Sequence, residues 1–380
     1  MTSANGMGDA PNAADMAENA PRPGARLANI QALRAVAVLL VVAVHMFANE
    51  QRAAGDPILP QWFYHGVSGV DLFFAISGFI MVWITRDQHG RAESAGSFLF
   101  ARAARIYPPV WLFTTLAIVA FVIQGTLANW SQDGRILASY LLYPYELPPV
   151  LGVSWTIVHE LYFYLVFAVL LLMPERVLPF ALVVWGACIG FGEWLGWDKA
   201  NPWTKIIFHP LTFEFLAGAF VGLVTARWKP PAPAVVLAFG IAAFIAGAFW
   251  LGLRDETNYP DGWGRVAAFG PGAALIVWGA AGLELGQGKR APKFLSLIGD
   301  WSYSLYLSHL LVIAGLAHMW MRFAQPGAAD NLLMLTVMLA APIIVSAIAY
   351  YTFERPGVKL AHSFRDRIFG RRKAVIAPAA

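Results

Sequence analysis

Two side chains in the first apolar segment of the sequence, Arg34 and His45, are spaced so that one elongated substrate could contact both. Residues 29–47 read NIQALRAVAVLLVVAVHMF. In an α-helix, eleven residues rise ~16.5 Å and turn through about three revolutions plus ~20°, so both side chains lie on one face. A guanidinium binds phosphate oxygens, and an imidazole accepts a proton near neutral pH. This arrangement suits coenzyme A, whose thioester lies far from its phosphates.

A second basic motif strengthens this interpretation, because Arg34 alone could simply set the orientation of a membrane helix. Residues 102–109 read RAARIYPP. Arg102 and Arg105 are three positions apart and therefore neighbours on a helix face, where their guanidinium groups would bind phosphate together with Arg34. We assign Tyr107 of the same motif to this cofactor-binding group. The alternative is that the arginines only follow the excess of basic residues on the cytoplasmic side.

A carboxylate is predicted to meet His45 from the opposite side of the membrane. Residues 154–164 read SWTIVHELYFY, which places Glu160 about 9 Å along a helix from the start of this motif. In a hydrocarbon core of about 30 Å, Glu160 and His45 can reach the same depth. We therefore predict His45 as a general base and Glu160 as the partner that orients it. Glu160 could instead balance His159 or a buried arginine, and Trp155 is predicted to contact the substrate.

Two further motifs carry polar residues that lipid should exclude, and each is therefore a candidate for function. Residues 69–79, GVDLFFAISGF, bring Asp71 a short way into the membrane, where it could line a substrate site or cap the start of a helix. Residues 302–309, SYSLYLSH, end in His309, close to one helical stripe with both tyrosines. We assign Asp71 and His309 to the substrate site. The alternative for His309 is a hydrogen bond between helices.

Membrane helices are the elements that must position these residues. Hydrophobic residues make up 58% of the 380 and charged residues 13%, which excludes an ordinary soluble globular protein. Apolar runs of about 20 residues can cross a bilayer as helices. The sequence therefore predicts an all-α polytopic membrane protein with about ten transmembrane helices. The predicted spans are 31–48, 66–84, 106–125, 154–173, 177–196, 206–225, 233–252, 265–284, 302–320 and 332–352.

The distribution of basic residues predicts the topology. Most of the 27 lysines and arginines fall in the two tails and the even-numbered loops, so both termini should be cytoplasmic in a bacterial-type inner (plasma) membrane. We divide the chain into a disordered cytoplasmic tail (1–26), a transmembrane domain (27–356) and a basic cytoplasmic tail (357–380) that would contact anionic membrane lipids. The net charge of +4 gives no support to nucleic-acid binding.

The longest connection, residues 126–153, contains the stretch RILASYLLYPYELPPV. This stretch is apolar and aromatic but too short to span a membrane. It could form a re-entrant or interfacial segment, or it could be a loop packed on the helix bundle. The sequence favours neither alternative.

These motifs, in this order, resemble acyltransferase family 3 of integral membrane proteins, and in particular its exopolysaccharide acetyltransferase branch. The resemblance implies transfer of an acyl group, with acetyl favoured, from cytoplasmic acyl-CoA to a hydroxyl of a polysaccharide or lipid-linked sugar. It also implies that His45 is essential, that the three arginines bind the CoA side, and that Glu354 in the terminal YYTFERP occupies a marked polar position. Some members carry an additional periplasmic hydrolase-like domain, which this sequence lacks.

The mechanism expected from the residues is direct transfer, with His45 removing the acceptor proton as the hydroxyl attacks the thioester. A covalent acyl-histidine is an alternative. The acyl-CoA acts as co-substrate, and no metal is expected. A rival from another class is a proton-coupled transporter or glycan-lipid flippase that uses His45, Glu160 and His309 as a relay. That rival does not explain the paired arginines.

Overall fold

The computed structural model describes residues 26–54, 56–129, 134–253 and 261–369, and these residues form helices joined by short connections without any β-strand. The predicted all-α class is confirmed. The predicted N-terminal tail lies outside the described residues except for its last residue, as do residues 370–380 of the predicted basic tail. In chain order the helices are α1 (Ala28–Ala53), α2 (Gly69–Thr85), α3 (Ala92–Ile123), α4 (Arg135–Leu141), α5 (Trp155–Leu171), α6 (Leu178–Trp194), α7 (Pro202–Ile207), α8 (Thr212–Arg227), α9 (Pro233–Leu251), α10 (Trp263–Gln287), α11 (Lys293–Trp320), α12 (Ala328–Ala349) and α13 (Arg355–Ile368).

Nine helical segments within the described ranges are long and apolar enough to cross a membrane, and the ten predicted spans all overlap helices. Helix α11, which has 28 residues and contains the predicted span 302–320, is not among these nine segments. Serine, tyrosine and histidine side chains lower its hydropathy. They are buried where α11 packs between α1 and α12, so α11 keeps them away from lipid. The side on which each terminus lies stays a prediction.

The arginine motif lies inside a helix rather than at its start. The third span was expected from residue 106, but α3 begins at Ala92, so Arg102 and Arg105 lie about three turns into it. Charged residues lower the hydropathy of the first half of α3, so the apolar run alone does not show where this helix begins. Pro108 and Pro109 are accommodated within the same helix.

Small residues allow α2 and α8 to pack backbone against backbone. A Cβ atom added to Gly78 would collide with the carbonyl oxygen of Phe215, and one added to Gly218 would collide with that of Ala75. Only glycine permits this approach, which holds α2 firmly against α8. One face of α2 can therefore serve as a rigid wall of an internal site.

The long connection folds back on the bundle instead of crossing it. After α4, the chain reverses at Leu142, whose φ of 55° is in the left-handed region. Tyr107 donates a hydrogen bond to the carbonyl of Leu141 at 3.1 Å, and Trp111 donates one to that of Tyr140 at 3.0 Å. These bonds fix α4 along α3, so the alternative of a segment packed on the bundle fits the structure.

A π-helical turn, Tyr350–Glu354, joins α12 to α13 and turns Glu354 into the protein interior. Extra residues in a helical turn shift the face that follows, and such turns recur at functional sites. Helix α13 itself exposes an apolar stripe formed by Leu360, Phe364 and Ile368. The basic segment predicted as a tail is therefore helical up to residue 368.

Candidate active site

A small charged cavity lies between α1, α2, α3, α5 and α11. Its volume is about 80 Å³, room for about two or three water molecules. All three arginines singled out from the sequence line it, so the structure brings the two basic motifs together. We call it the arginine cavity; its lining includes Arg34, Arg102, Arg105, Glu160, Tyr164 and Tyr306.

Positive charge slightly exceeds negative charge in and around this cavity. Glu160 attracts all three guanidinium groups, and the buried Glu354 attracts those of Arg34 and Arg105. Three cations against two carboxylates leave a balance of one positive charge for an incoming anion. The guanidinium of Arg102 also lies over the ring of Tyr164, 5.1 Å from its centroid, and this contact limits its freedom to turn.

Glu160 does not meet His45, contrary to the prediction. Its carboxylate accepts a short hydrogen bond from Tyr164 and a longer one, 3.4 Å, from Ser77. Those contacts place Glu160 in the arginine cavity, which matches the alternative that it balances a buried arginine. Counting residues from each membrane face gave the depth of both side chains, but depth does not decide which side of α5 faces α1.

The partner of His45 is instead His309. Their rings meet edge to face with centroids 4.8 Å apart, and His309 Nε2 lies 3.3 Å from His45 Nδ1. Each ring also contacts a carbonyl one turn earlier: His45 Nδ1 lies 2.8 Å from the oxygen of Val41, and His309 Nδ1 lies 3.0 Å from that of Leu305.

These contacts fix the tautomers of both rings. A carbonyl oxygen only accepts, so in each neutral imidazole the proton lies on Nδ1. His309 Nε2 therefore offers its lone pair to the Nδ1 proton of His45. His45 in turn has its basic lone pair on Nε2, the state that a general base requires.

His45 lines a larger groove on the other side of this histidine pair. The groove has a volume of about 900 Å³ and lies between the second halves of α1, α3 and α11. Asn49 contributes to it and donates a hydrogen bond to the carbonyl of His45 at 2.7 Å. We call it the histidine groove; its lining includes His45, Asn49, Arg52, Tyr64, Val67 and Ser308.

Tyr306 separates the arginine cavity from the histidine groove. Its ring lines the cavity and lies 5.8 Å from that of His309, centroid to centroid. Its hydroxyl donates to the carbonyl of Val153 at 3.1 Å and shares a 2.7 Å hydrogen bond with Thr156. Within the described ranges no residue lines both the cavity and the groove, so this tyrosine holds a partition between them.

Asp71 lies in a buried ion pair, not on the wall of any of these cavities. Arg265 Nη2 donates to Asp71 Oδ2 at 2.7 Å and Nε donates to Oδ1 at 2.8 Å, a bidentate pair. Glu214 lies beside Asp71, fully buried. Arg265 was not among the predicted site residues, although a carboxylate in lipid requires a nearby cation.

The remaining predicted residues lie apart from the arginine cavity. Tyr107 holds α4 through Leu141, as described, and does not line that cavity. Trp155 faces a separate cleft together with His159, their ring centroids 5.7 Å apart. Among the described residues, no group of histidine, cysteine and carboxylate side chains has the arrangement of a metal site.

Comparison with known proteins places this arrangement in a family. Residues 27–351 match the family described as acyltransferase domain. The exopolysaccharide production protein ExoZ of Rhizobium meliloti (strain 1021) is 33% identical over 302 residues, which cover 77% of this chain and 89% of ExoZ.

Two further relatives are more distant. The acyltransferase MdmB of Streptomyces mycarofaciens is 25% identical, with 92% of this chain and 94% of MdmB covered. The peptidoglycan O-acetyltransferase OatA of Listeria monocytogenes serovar 1/2a is 23% identical, with 86% of this chain and 55% of OatA covered. No solved structure matches this chain.

Proposed function

This chain belongs to the acyltransferase domain family, and on that premise we propose that it is a membrane O-acyltransferase. The donor is acyl-CoA, with acetyl-CoA favoured, which enters from the cytoplasm. The acceptor is a hydroxyl of an extracytoplasmic or lipid-linked glycan, and the enzyme resides in the inner (plasma) membrane with both termini cytoplasmic. Support for a glycan acceptor comes from the names of two relatives, an exopolysaccharide production protein and a peptidoglycan O-acetyltransferase.

The observation that carries this proposal is the pair of His45 and His309, positioned between a basic cavity and an open groove. A basic cavity suits the phosphates of one substrate, and a groove suits the approach of another. A tautomer with its lone pair on Nε2 suits proton transfer between them. A transporter has no need for three arginines at one end of this path.

The arginine cavity is proposed to bind the donor. Arg34, Arg102 and Arg105 would hold its phosphates through charge-assisted hydrogen bonds, while the thioester extends toward Tyr306. A cavity of about 80 Å³ cannot hold coenzyme A, so the side chain of Tyr306 and its neighbours must move as the donor enters. Glu160 has a positioning role here, because its charge spaces the guanidinium groups before phosphate arrives.

In the chemical step, His45 Nε2 takes the proton of the acceptor hydroxyl while the oxygen attacks the thioester carbonyl. The tetrahedral intermediate collapses with cleavage of the carbon–sulfur bond, and the sulfur leaves with the proton returned by His45. The products are the O-acyl glycan and CoA. Proton transfer of this kind typically contributes ~10² to 10⁴ in rate.

His309, rather than the predicted Glu160, is proposed to orient His45. When His45 becomes an imidazolium, its Nδ1 proton is shared between the carbonyl of Val41 and Nε2 of His309. Two acceptors on that proton stabilise the cation and keep the ring from turning. An acyl group transferred first to His45 Nε2 remains the alternative chemistry.

The decisive experiment measures two products from one preparation. Vesicles that contain the protein are supplied with acetyl-CoA on one side and glycan on the other, and free CoA and ester-linked acetyl are measured. Stoichiometric formation of both supports the proposal. Glycan movement across the membrane without CoA release would favour the transporter or flippase and reject the acyltransferase.

A further inference from the structure

A second polar cavity opens at the end of the bundle where α1 terminates. Its volume of about 450 Å³ is within the range of small-molecule sites, ~300–1,000 Å³. The segment that folds back after α4 forms one wall, and α7 with the starts of α5 and α10 forms the other. We call it the aromatic cleft; its lining includes Tyr64, Tyr143, Trp155, His159, Lys205 and Asp261.

A hydrogen-bonded chain of polar groups reaches into this cleft. His209 Nδ1 accepts the backbone N–H of Leu211 at 3.2 Å, so its proton lies on Nε2, 3.4 Å from Asp261 Oδ1. This contact lowers the pKa of Asp261 to about 2, and its side chain, 61% exposed, is a carboxylate at any physiological pH. The chain therefore offers a fixed acceptor at the mouth of the cleft.

His159 adds a buried ring nitrogen that has no hydrogen-bond partner among the described residues. Its ring lies 4.8 Å from that of His209, centroid to centroid, and only 3% of His159 is exposed. Its Nδ1 has no hydrogen-bond partner among the residues that the structure describes. Buried polar atoms usually have a partner, and His159 lines the cleft, so a ligand group in the cleft could supply the missing one.

The charges in the cleft indicate a ligand that is not an anion. Arg135, Lys205 and Arg265 line it, but Arg265 is paired with Asp71, and Glu146 and Asp261 also line the cleft. A phosphate would meet repulsion from these carboxylates. A sugar ring suits the cleft instead, because its C–H face packs on aromatic rings while its hydroxyls both donate and accept hydrogen bonds.

The cleft adjoins the groove that contains His45. Tyr64 and Val67 line both the aromatic cleft and the histidine groove. A ligand held in the cleft therefore adjoins the space in which His45 acts. The cleft shares no lining residue with the arginine cavity within the described part of the chain.

We propose that the aromatic cleft binds a pyranose unit of the acceptor glycan, with Trp155 as its stacking surface and Lys205, His159 and Asp261 as partners of its hydroxyls. The identification of this sugar as the acceptor rests on the proposed function. The binding itself requires no catalysis. Sugar held here presents a neighbouring hydroxyl to the histidine groove.

The test measures binding to the protein in lipid nanodiscs. The probe is the oligosaccharide repeat released from the cell's own surface polysaccharide, treated with mild base to remove esters and labelled with a fluorophore. Trp155→Ala and Lys205→Ala should each raise the Kd about tenfold, the size of one good aromatic or hydrogen-bond contact. Matched controls are Trp194→Ala and Lys199→Ala, which change the same residue types outside the cleft and should leave the Kd unchanged.

The outcomes separate this inference from the proposed function. Unchanged binding in both cleft variants, or equal losses in the controls, overturns the cleft assignment even if the wild type still acetylates glycan. Binding that depends on Trp155 and Lys205 in a protein that releases no CoA upholds the cleft and rejects the acyltransferase. A variant that misfolds is identified by its elution volume and is replaced by Asp261→Asn, which removes a charge without changing the size of a side chain that is 61% exposed.

Discussion

The arginine cavity and the aromatic cleft differ in size and in the side chains that line them, so they would select different ligands. The cavity is small and lined by charges in slight excess of one sign. The cleft is about five times larger by volume, is lined by rings, and contains balanced charges. A cavity of the first kind recognises phosphates by charge, and one of the second kind recognises a sugar by shape and hydroxyl pattern. Under the proposed function, this contrast means that donor and acceptor are recognised independently, with His45 and His309 between them.

The largest expected effect comes from removing the group between the two regions. His45→Ala should lower the transfer rate by ~10² to 10⁴, because no other base has its lone pair in that position. The measurement is acetyl transfer by purified protein in vesicles. His89→Ala, outside every cavity described above, is the matched control. A His45→Ala protein that inserts normally and transfers acetyl at the wild-type rate contradicts the mechanism.

Loss of the orienting ring should have the next largest effect. His309→Ala should lower kcat about 10- to 100-fold, the usual cost of removing a partner that orients an imidazole, with little change in the KM for acetyl-CoA. His309→Gln should restore part of the rate, because its amide oxygen can accept the Nδ1 proton of His45. A purely structural role would predict no rescue by glutamine and a loss of folded protein instead.

A change confined to the arginine cavity should affect the donor alone. Arg102→Ala should raise the KM for acetyl-CoA about tenfold, the value of one charge-assisted hydrogen bond. Arg102→Lys should recover only part of this loss, since lysine lacks the planar fork that lies over Tyr164. Arg91→Ala at the start of α3 serves as the control. A rise in acceptor KM instead of donor KM would break the proposed division of labour.

The smallest expected effect lies in the scaffold beneath the cavity. Gly78→Ala should destabilise the protein by ~1–3 kcal/mol, because the added methyl group forces α2 away from α8. The measurement is the unfolding temperature in detergent, compared with Gly315→Ala, where an added Cβ meets no neighbour within 4 Å. Equal stability of the two variants would contradict the close approach of these helices.

The sequence predicted the helices well, because apolar runs determine where a chain can enter lipid. It also identified the three arginines of the basic cavity, because Arg102 and Arg105 are neighbours on one helix face and all three are cations within apolar segments. It failed on pairs between distant helices. The position of Glu160 in one cavity with the arginines and the ion pair of Asp71 with Arg265 depend on how each helix rotates about its axis, and no local pattern records that rotation.

His309 illustrates the same limit of prediction from sequence. The sequence placed it on a stripe with the tyrosines and assigned it to the substrate site, with a hydrogen bond between helices as the alternative. The structure gives it that interhelical bond, and the partner is the very residue assigned to catalysis. A search for two histidines at similar depth on different spans would have suggested the pair, because both lie about three-fifths to two-thirds of the way along their helices.

The partition at Tyr306 bears on the electrical insulation of the cell. An enzyme that brings a water-soluble cofactor and a sugar together from opposite ends of one bundle is at risk of becoming an ion leak. Because Tyr306 lies between the arginine cavity and the histidine groove and is held by bonds to Val153 and Thr156, we expect the resting protein to keep the membrane potential intact. In the proposed mechanism, the entering acyl-CoA displaces that ring and fills the space that it leaves.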